Sequence, residues 1–216
     1  MNISEKETSR VEAFSDGVFA IAITLLILEV KVPHLPHDAT NADLLRALFT
    51  AWPSFLAFLL SFIAILIMWV NHHGVFKLLR AVDSRFLFAN GFLLLLIVFV
   101  PFPTAVLAEY LDQPSANTAA VFYCGTYVVI NIAYNLLWYN AAKNRRLIKP
   151  DVSDEHLRKI RNAYLLGFPV YLGACLLAWF SVYVGIIVNL VLWLLWAKLD
   201  YQPKSSNEHN HTGARQ

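Results

Sequence analysis

Long apolar stretches separated by short polar segments dominate the hydrophobic pattern of the chain. A helix that crosses a bilayer needs roughly 20 apolar residues, and we identify six stretches of about this length. The predicted spans run from Ala13 to Val32, Trp52 to Asn71, Phe86 to Leu107, Thr118 to Trp138, Asn162 to Phe180 and Ser181 to Ala197. Almost no loop separates the last two, so we expect them to form a tight antiparallel hairpin.

The spans are predicted to be helices rather than strands. A membrane-spanning strand alternates between lipid-facing and lumen-facing residues, and runs such as FLLLLIVFV (residues 92–100) do not alternate. A helix satisfies its own backbone hydrogen bonds in hydrocarbon. The composition agrees, because 58% of the residues are hydrophobic and only 15% are charged, against about 25% charged residues in soluble domains. The sequence therefore predicts an all-α polytopic membrane protein.

The chain is predicted to contain one transmembrane domain and a short tail. Residues 1–200 hold the six spans, and residues 201–216 form a polar segment that we expect to be cytoplasmic and disordered. The mixed charges near the N-terminus do not resemble a cleaved signal peptide. Cys124 and Cys175 lie inside apolar stretches and indicate no disulfide framework or metal cluster. We predict no cofactor, no bound metal and no nucleic-acid partner; the tail histidines His209 and His211 are only weak evidence for a metal.

The distribution of basic residues predicts the orientation in the membrane. If the N-terminus is cytoplasmic, all 17 Lys and Arg residues except Lys31 and Arg46 fall on the cytoplasmic side. Lys and Arg favour cytoplasmic loops of membrane proteins. Both termini are therefore predicted to be cytoplasmic, in a multi-pass protein of the cell membrane.

Several polar side chains are predicted to meet near the cytoplasmic ends of the first three spans. Ionisable groups within spans are rare and are usually paired or functional. The residues at this depth are Arg10, Ser15, Asp16, Trp69, Asn71, His72 and Asn90. They form either a clamp between helix ends or a proton-handling site. We favour the clamp, because Arg10 and the histidines are natural partners for the Asp16 carboxylate.

An apolar stripe follows Asp16 along the first span. Its members recur at spacings of four and three residues and share one helical face. They are Ala20, Ile23, Ile27 and Val30. From the pattern alone, ordinary packing against lipid or the protein core is the simpler interpretation.

The motif R-x-x-x-F-S-D, formed by Arg10, Phe14, Ser15 and Asp16, resembles the signature of the transmembrane protein 175 family of potassium channels. The continuation GVFAIAITLLILEV is similar to the pore helix of that family. The segment WVNHH at the end of the second span, which contains Trp69, Asn71 and His72, is similar too. The resemblance is sharpest over residues 10–32.

This resemblance implies an oligomeric channel without a carbonyl selectivity filter. Prokaryotic members with a single six-helix repeat form tetramers, so the likeness implies a homotetramer in the lipid bilayer with the first helices around a central pore. It places the apolar constriction at Ile23, Ile27 and Val30. It also implies that potassium, with other monovalent cations, is the permeant species. Val30 is smaller than the leucine expected there, which implies a looser outer ring. The motif residues, Phe14 included, are implied to organise packing near the inner mouth.

Two other functions remain open on the sequence alone. A proton-linked transporter would use Asp16 and His72 as a relay, although no carboxylate lies at mid-depth. An intramembrane enzyme acting on lipid would use His72 and His73, but no second catalytic cluster is evident at that depth. We therefore predict a passive channel and no enzyme, with the transporter as the alternative.

Overall fold

The computed structural model describes residues 3–199 and Tyr201, with side chains from Lys6 onward, and this part of the chain is helical without β-strands. The predicted tail from residue 202 lies outside the described residues, so its disorder remains a prediction. The helices are α1 (Ile3–Leu25), α2 (Asn41–Thr50), α3 (Trp52–Lys77), α4 (Ser84–Phe99), α5 (Pro101–Tyr110), α6 (Ala116–Ala142), α7 (Asp154–Ala178) and α8 (Val182–Trp196).

Five helical stretches in the described part are long and apolar enough to cross a membrane. They are Lys6–Glu29, Trp52–Lys77, Ser84–Tyr110, Ala116–Arg145 and Asp154–Ala178. The third combines α4 and α5, which meet at Val100 where Pro101 provides no backbone N–H. The shorter α8 has 15 residues, or about 22 Å at the usual helical rise. The protein is therefore a multi-pass membrane protein.

The outer connection between α1 and α3 contains the short helix α2. Thr40 caps α2 by accepting a hydrogen bond from the backbone N–H of Asp43, whose carboxylate accepts from the Thr40 backbone N–H at 2.9 Å. This reciprocal pair satisfies two N–H groups that a helix start otherwise leaves free. No residue of α2 is buried in the single chain.

At the opposite end, which the sequence predicts to be cytoplasmic and which we term the inner end, two loops pack together. The Arg80 N–H donates to the Leu147 carbonyl at 2.9 Å, and the Lys149 N–H donates to the Leu78 carbonyl at 3.0 Å. Asp83 caps α4 through the Phe86 N–H and pairs with Arg146. The backbone bond from Phe86, together with the Arg146 guanidinium, lowers the pKa of the Asp83 carboxyl. The inner loops therefore form an ordered layer.

The loop after α6 reverses direction through two residues in the left-handed region. Asn144 and Arg145 have φ angles of 55° and 54°, which asparagine tolerates better than arginine. Arg145 is held there by its ion pair with Asp154 and by a hydrogen bond to the Val152 carbonyl. Ser153 then caps α7 by accepting a hydrogen bond from the His156 N–H.

The core of the bundle is built around α6, which packs against α4, α5, α7 and α8. The predicted hairpin of the last two apolar stretches is confirmed, because α7 and α8 pack together across a short turn at residues 179–181. Gly185 allows their close approach, since a Cβ there would lie 2.5 Å from the Cβ of Ala178. The first helix stands on the other side, against α3 and α4.

Candidate functional site

The first helix is covered by its own subunit along one narrow stripe. The buried residues Ser15, Phe19, Ala22 and Leu26 recur at spacings of four and three and face α3 and α4. In the apolar stretch of α1 only 22% of the residues are buried, against 61% for α6. A membrane helix so little covered within one chain is available to contact lipid, a second subunit or a pore.

The α-helix ends earlier than the sequence pattern predicts. The predicted span continued to Val32, but α1 ends at Leu25, Leu26–Glu29 forms a 3-10 helix, and Val30 is extended with ψ of 95°. A 3-10 helix turns by about 120° per residue instead of about 100°. Ile27 and Val30 therefore point in nearly the same direction, while Ile23 is rotated from them by roughly 80° on the same geometry.

The three predicted constriction residues lie on or beside the uncovered part of this helix. Ile27 is 53% exposed, whereas Ile23 and Val30 are half-buried. Ile23 borders a groove of about 290 Å³ between α1 and α3, opposite Leu66 and Trp69. Leu25 is 39% exposed and lies on the other side of the uncovered face. The single chain therefore leaves apolar side chains exposed along this face.

A buried hydrogen-bond chain joins α1, α4 and α3. The Asn90 amide donates to the Ser15 hydroxyl oxygen at 2.9 Å, and its carbonyl oxygen lies 2.8 Å from His72 Nε2. All three side chains are buried, and the His72 ring lies between Phe19 and Phe76, at centroid distances of 5.2 and 4.8 Å. His72 Nδ1 has no hydrogen-bond partner among the described residues. Because the Asn90 oxygen is an acceptor only, His72 donates its Nε2 proton in this arrangement.

The Asp16 carboxylate has a different partner from the one expected. Its Oδ1 accepts a hydrogen bond from the Trp69 indole N–H at 2.8 Å. Within the described residues no hydrogen bond or ion pair joins Asp16 to Arg10, so the predicted Arg10–Asp16 pairing is wrong. The two side chains lie about 120° apart around the helix, by its residue spacing. Arg10 instead lines a groove of about 620 Å³ between α1 and α4.

A further contact between α1 and α3 was missed from the sequence. His73 Nδ1 lies 2.8 Å from the Glu12 carboxylate, and its ring stacks on Trp69 at 5.9 Å between centroids. Glu12 and Asp16 are one helical turn apart, as are Trp69 and His73, so the two contacts run side by side. That matching spacing of four on both helices is a signal that the sequence contained.

Asn71 does not join this group but faces α7 and the segment after α8. The Tyr201 hydroxyl donates to the Asn71 side-chain oxygen at 2.9 Å and lies 2.6 Å from the Tyr164 hydroxyl. The Tyr201 ring packs directly against Gly74. A Cβ at position 74 would lie 2.4 Å from that ring, so a larger residue there would displace Tyr201. Tyr201 is therefore buried, although the sequence places it in the polar tail. Phe14, in contrast, is 66% exposed on the uncovered side of α1.

A second polar cluster lies deeper in the bundle and does not involve α1. The Ser61 hydroxyl is 2.6 Å from that of Thr104 and 3.0 Å from that of Tyr123, and Tyr127 donates to Tyr123 at 3.1 Å. These buried groups connect α3, α5 and α6. Each hydroxyl has a partner, as buried polar groups require, so the cluster serves packing.

The described side chains contain no group of three or more His, Cys, Asp or Glu residues that could hold a metal ion. His209 and His211, the weak metal candidates, lie outside the described residues.

Comparison with known proteins identifies the family. The family described as endosomal/lysosomal potassium channel TMEM175 matches residues 10–101, the region that contains the F-S-D and W-V-N-H-H motifs. A protein of Chamaesiphon minutus named as a potassium channel is 48% identical over 89% of this chain and 95% of its own length. One of Streptomyces collinus, also named as a potassium channel, is 43% identical over 77% of this chain and 82% of its own length.

A solved structure supports the same assignment. The crystal structure of a lysosomal potassium-selective channel TMEM175 homolog from Chamaesiphon minutus superimposes with a TM-score of 0.79 at 47% identity. The match covers 89% of this chain and 97% of that one. These relatives are ion channels and not enzymes. With this identity over nearly the whole of both chains, the protein belongs to the TMEM175 family of ion channels.

Proposed function

We propose that this chain is the subunit of a potassium-permeable cation channel, a homotetramer in the cell membrane whose α1 helices surround a central pore. The observation that carries the proposal is the exposure of α1. Its apolar stretch is only 22% buried in the single chain, and one such helix cannot enclose a path. Several copies of the chain arranged around a cyclic axis enclose an ion path between their α1 helices. The exposed faces of α1 are then buried between neighbouring subunits. The bacterial relatives named as potassium channels support potassium as the permeant ion.

The constriction is proposed at Ile23, Ile27 and Val30. Each position repeats in every subunit and so forms a ring of apolar side chains around the axis. Such a ring gates by losing its water, because methyl groups cannot replace the hydration shell of a cation. Ile27 and Val30 point in nearly one direction, owing to the 3-10 turn, and form the outer part of this constriction. No carbonyl filter is part of this mechanism.

The inner-end contacts are proposed to fix the rotation of α1. The Ser15–Asn90–His72 chain holds one side of the helix, and the Asp16–Trp69 bond holds the adjacent side. Together they prevent α1 from turning its apolar face away from the axis. This assigns a structural role to the motif, and it separates Asp16 from His72, which have different partners here.

The proposed topology has both termini in the cytoplasm and α8 as the sixth span. The 15-residue length of α8 is short for a bilayer core of about 30 Å, and the membrane adapts by local thinning at modest cost. The basic inner loops support this orientation.

Cysteine labelling in intact cells tests the topology. Asn41→Cys and Ser115→Cys are expected to react with an impermeant thiol reagent added outside, because both exposed residues lie in outer connections. Asp151→Cys, exposed in the inner loop, is expected to react only after the cells are opened. The wild type measures background from Cys124 and Cys175, which are buried and half-buried. Labelling of Asp151→Cys in intact cells would contradict the orientation.

Ion flux in liposomes tests the function. The purified protein is expected to carry potassium passively at a rate that does not depend on an imposed pH gradient. Potassium flux coupled to the pH gradient would instead support the proton-linked transporter. Asp16→Asn sharpens the comparison, since an amide oxygen still accepts from Trp69 but the group no longer titrates. Passive flux is expected to survive this change, whereas a relay through Asp16 and His72 would be lost. A pH-sensitive dye inside the liposomes measures proton passage separately.

A further inference from the structure

A groove between α6 and α7 at the inner end has the features of a binding site that the proposed pore does not use. Its volume is about 620 Å³, and the side chains that matter for its chemistry are Trp138, Tyr139, Lys143, Arg161 and Leu165. The groove lies away from α1, because α7 packs on α6 and α8 while α1 packs on α3 and α4. In the proposed tetramer, with α1 at the axis, it therefore opens toward the surrounding lipid.

Two cationic side chains in this groove have no acidic partner. Three nearby basic residues are paired in the described structure: Arg145 with Asp154, Arg146 with Asp83 and Lys159 with Glu155. Lys143 and Arg161 form no ion pair with any described residue. Positions 157 and 165, one helical turn from Arg161, are leucines. The groove thus presents two positive charges that no described acidic side chain neutralises.

The polar and apolar parts of the groove are arranged along the membrane normal. Lys143 follows the end of α6, with its Nζ 5.2 Å from the centroid of the Tyr139 ring. Farther from the inner surface, Leu165 lines the groove and is 56% exposed. A molecule with an anionic head and an apolar chain matches this order. Basic pockets between helices on the cytoplasmic side are suited to anionic lipid head groups.

Trp138 forms part of the wall of the groove through its apolar ring. Trp138 is only 3% exposed, and its indole N–H has no acceptor among the described residues. The Nε1 atom itself is buried, so it is not a contact point for a molecule in the groove.

We propose that this groove binds an anionic phospholipid of the inner leaflet, with Lys143 and Arg161 contacting its phosphate and Leu165 its acyl chain. The site depends on the predicted orientation of the inner end but not on ion conduction. Its failure and failure of the channel proposal are therefore distinguished by separate lipid-binding and flux measurements.

Native mass spectrometry of the detergent-solubilised protein tests the site, with phosphatidylglycerol and phosphatidylcholine offered at equal concentration. The wild type is expected to retain phosphatidylglycerol preferentially. The double variant Lys143→Gln/Arg161→Gln is expected to bind it about 25-fold more weakly, at about five-fold for each interfacial charge. Arg161→Gln alone is expected to bind it about five-fold more weakly. The matched control Arg158→Gln/Lys198→Gln removes the same charge from exposed inner residues outside the groove and should leave the preference intact.

Three results would overturn the proposal. Equal retention of the two lipids by the wild type would show that no anionic site exists. An equal loss in the control variant would show diffuse attraction to the basic surface. Displacement of phosphatidylglycerol by inorganic phosphate would show that the groove recognises a free anion and not a lipid. Elution on size exclusion confirms that the compared variants are folded, and Arg161→Gln alone decides the question if the double variant is not.

Discussion

Replacing Ile23 with asparagine is expected to raise the potassium current of the channel by about 10-fold, which corresponds to a barrier lowered by about 1.4 kcal/mol. In the proposed homotetramer the change places a ring of amides where methyl groups now exclude water. Amides hold water and replace part of the hydration shell of an ion, so the energetic penalty at the ring falls. Discrimination between potassium and sodium should fall as well, because a wider wet passage admits both hydrated ions.

The matched control is Leu25→Asn. Leu25 lies two residues from Ile23, which is about 160° around the helix, and it is exposed on the far side of the uncovered face. This variant is expected to change expression or stability without raising the current. Ile27→Asn should behave like Ile23→Asn, since Ile27 belongs to the same constriction. Planar lipid bilayer recordings with potassium and sodium on opposite sides measure both the current and the discrimination between the two ions. Currents raised by Leu25→Asn and unaffected by Ile23→Asn would place the pore on the opposite face of α1.

The helical architecture could be predicted from the sequence because a bilayer permits few kinds of spanning structure. Apolar stretches of sufficient length predict spanning helices, and the structure confirms five such segments in its described part. The hairpin of α7 and α8 was also predicted, because almost no loop separates the last two apolar stretches. The early end of α1 was not, because LILE contains good helix formers and only Pro33 indicates a nearby stop.

The sequence predicted the depth of the candidate site residues in the membrane but not the rotation of the helices that carry them. Sequence position along a span fixes the layer of a residue, so Ser15, Asp16, Trp69 and His72 were correctly placed near one another. Which side chains touch depends on how each helix is turned, and that is determined by packing. Arg10 and Asp16 therefore appeared to be partners, whereas Asp16 bonds to Trp69 and Asn71 faces Tyr201. The pore role of the apolar stripe depends on other subunits, which one sequence does not position.

Replacing Asn90 with leucine is expected to cause the largest loss of assembled protein. Asn90 is 3% exposed and bonds both Ser15 on α1 and His72 on α3. Leucine has a similar volume but no hydrogen-bonding groups, so His72 would lose its only described hydrogen-bond partner in a buried environment. An unsatisfied buried group costs about 1–3 kcal/mol, and α1 would lose one of the inner-end contacts that fix its rotation. We expect a lower thermal midpoint and dissociated subunits on size exclusion in detergent.

A double-mutant cycle separates this bond from general damage to the core. His72→Phe alone leaves the Asn90 oxygen without a donor and should also destabilise the protein. Asn90→Leu/His72→Phe removes both partners, and replacing both by apolar groups of similar shape is nearly neutral. The double variant should therefore be more stable than the sum of the single losses predicts, a coupling that contacting residues show. Asn140→Leu is the benign control, because among the described residues that amide bonds only the Leu136 carbonyl of its own helix. Strictly additive losses in the cycle, or an Asn90→Leu protein that melts and elutes like the wild type, would show that this chain does not hold α1 in place.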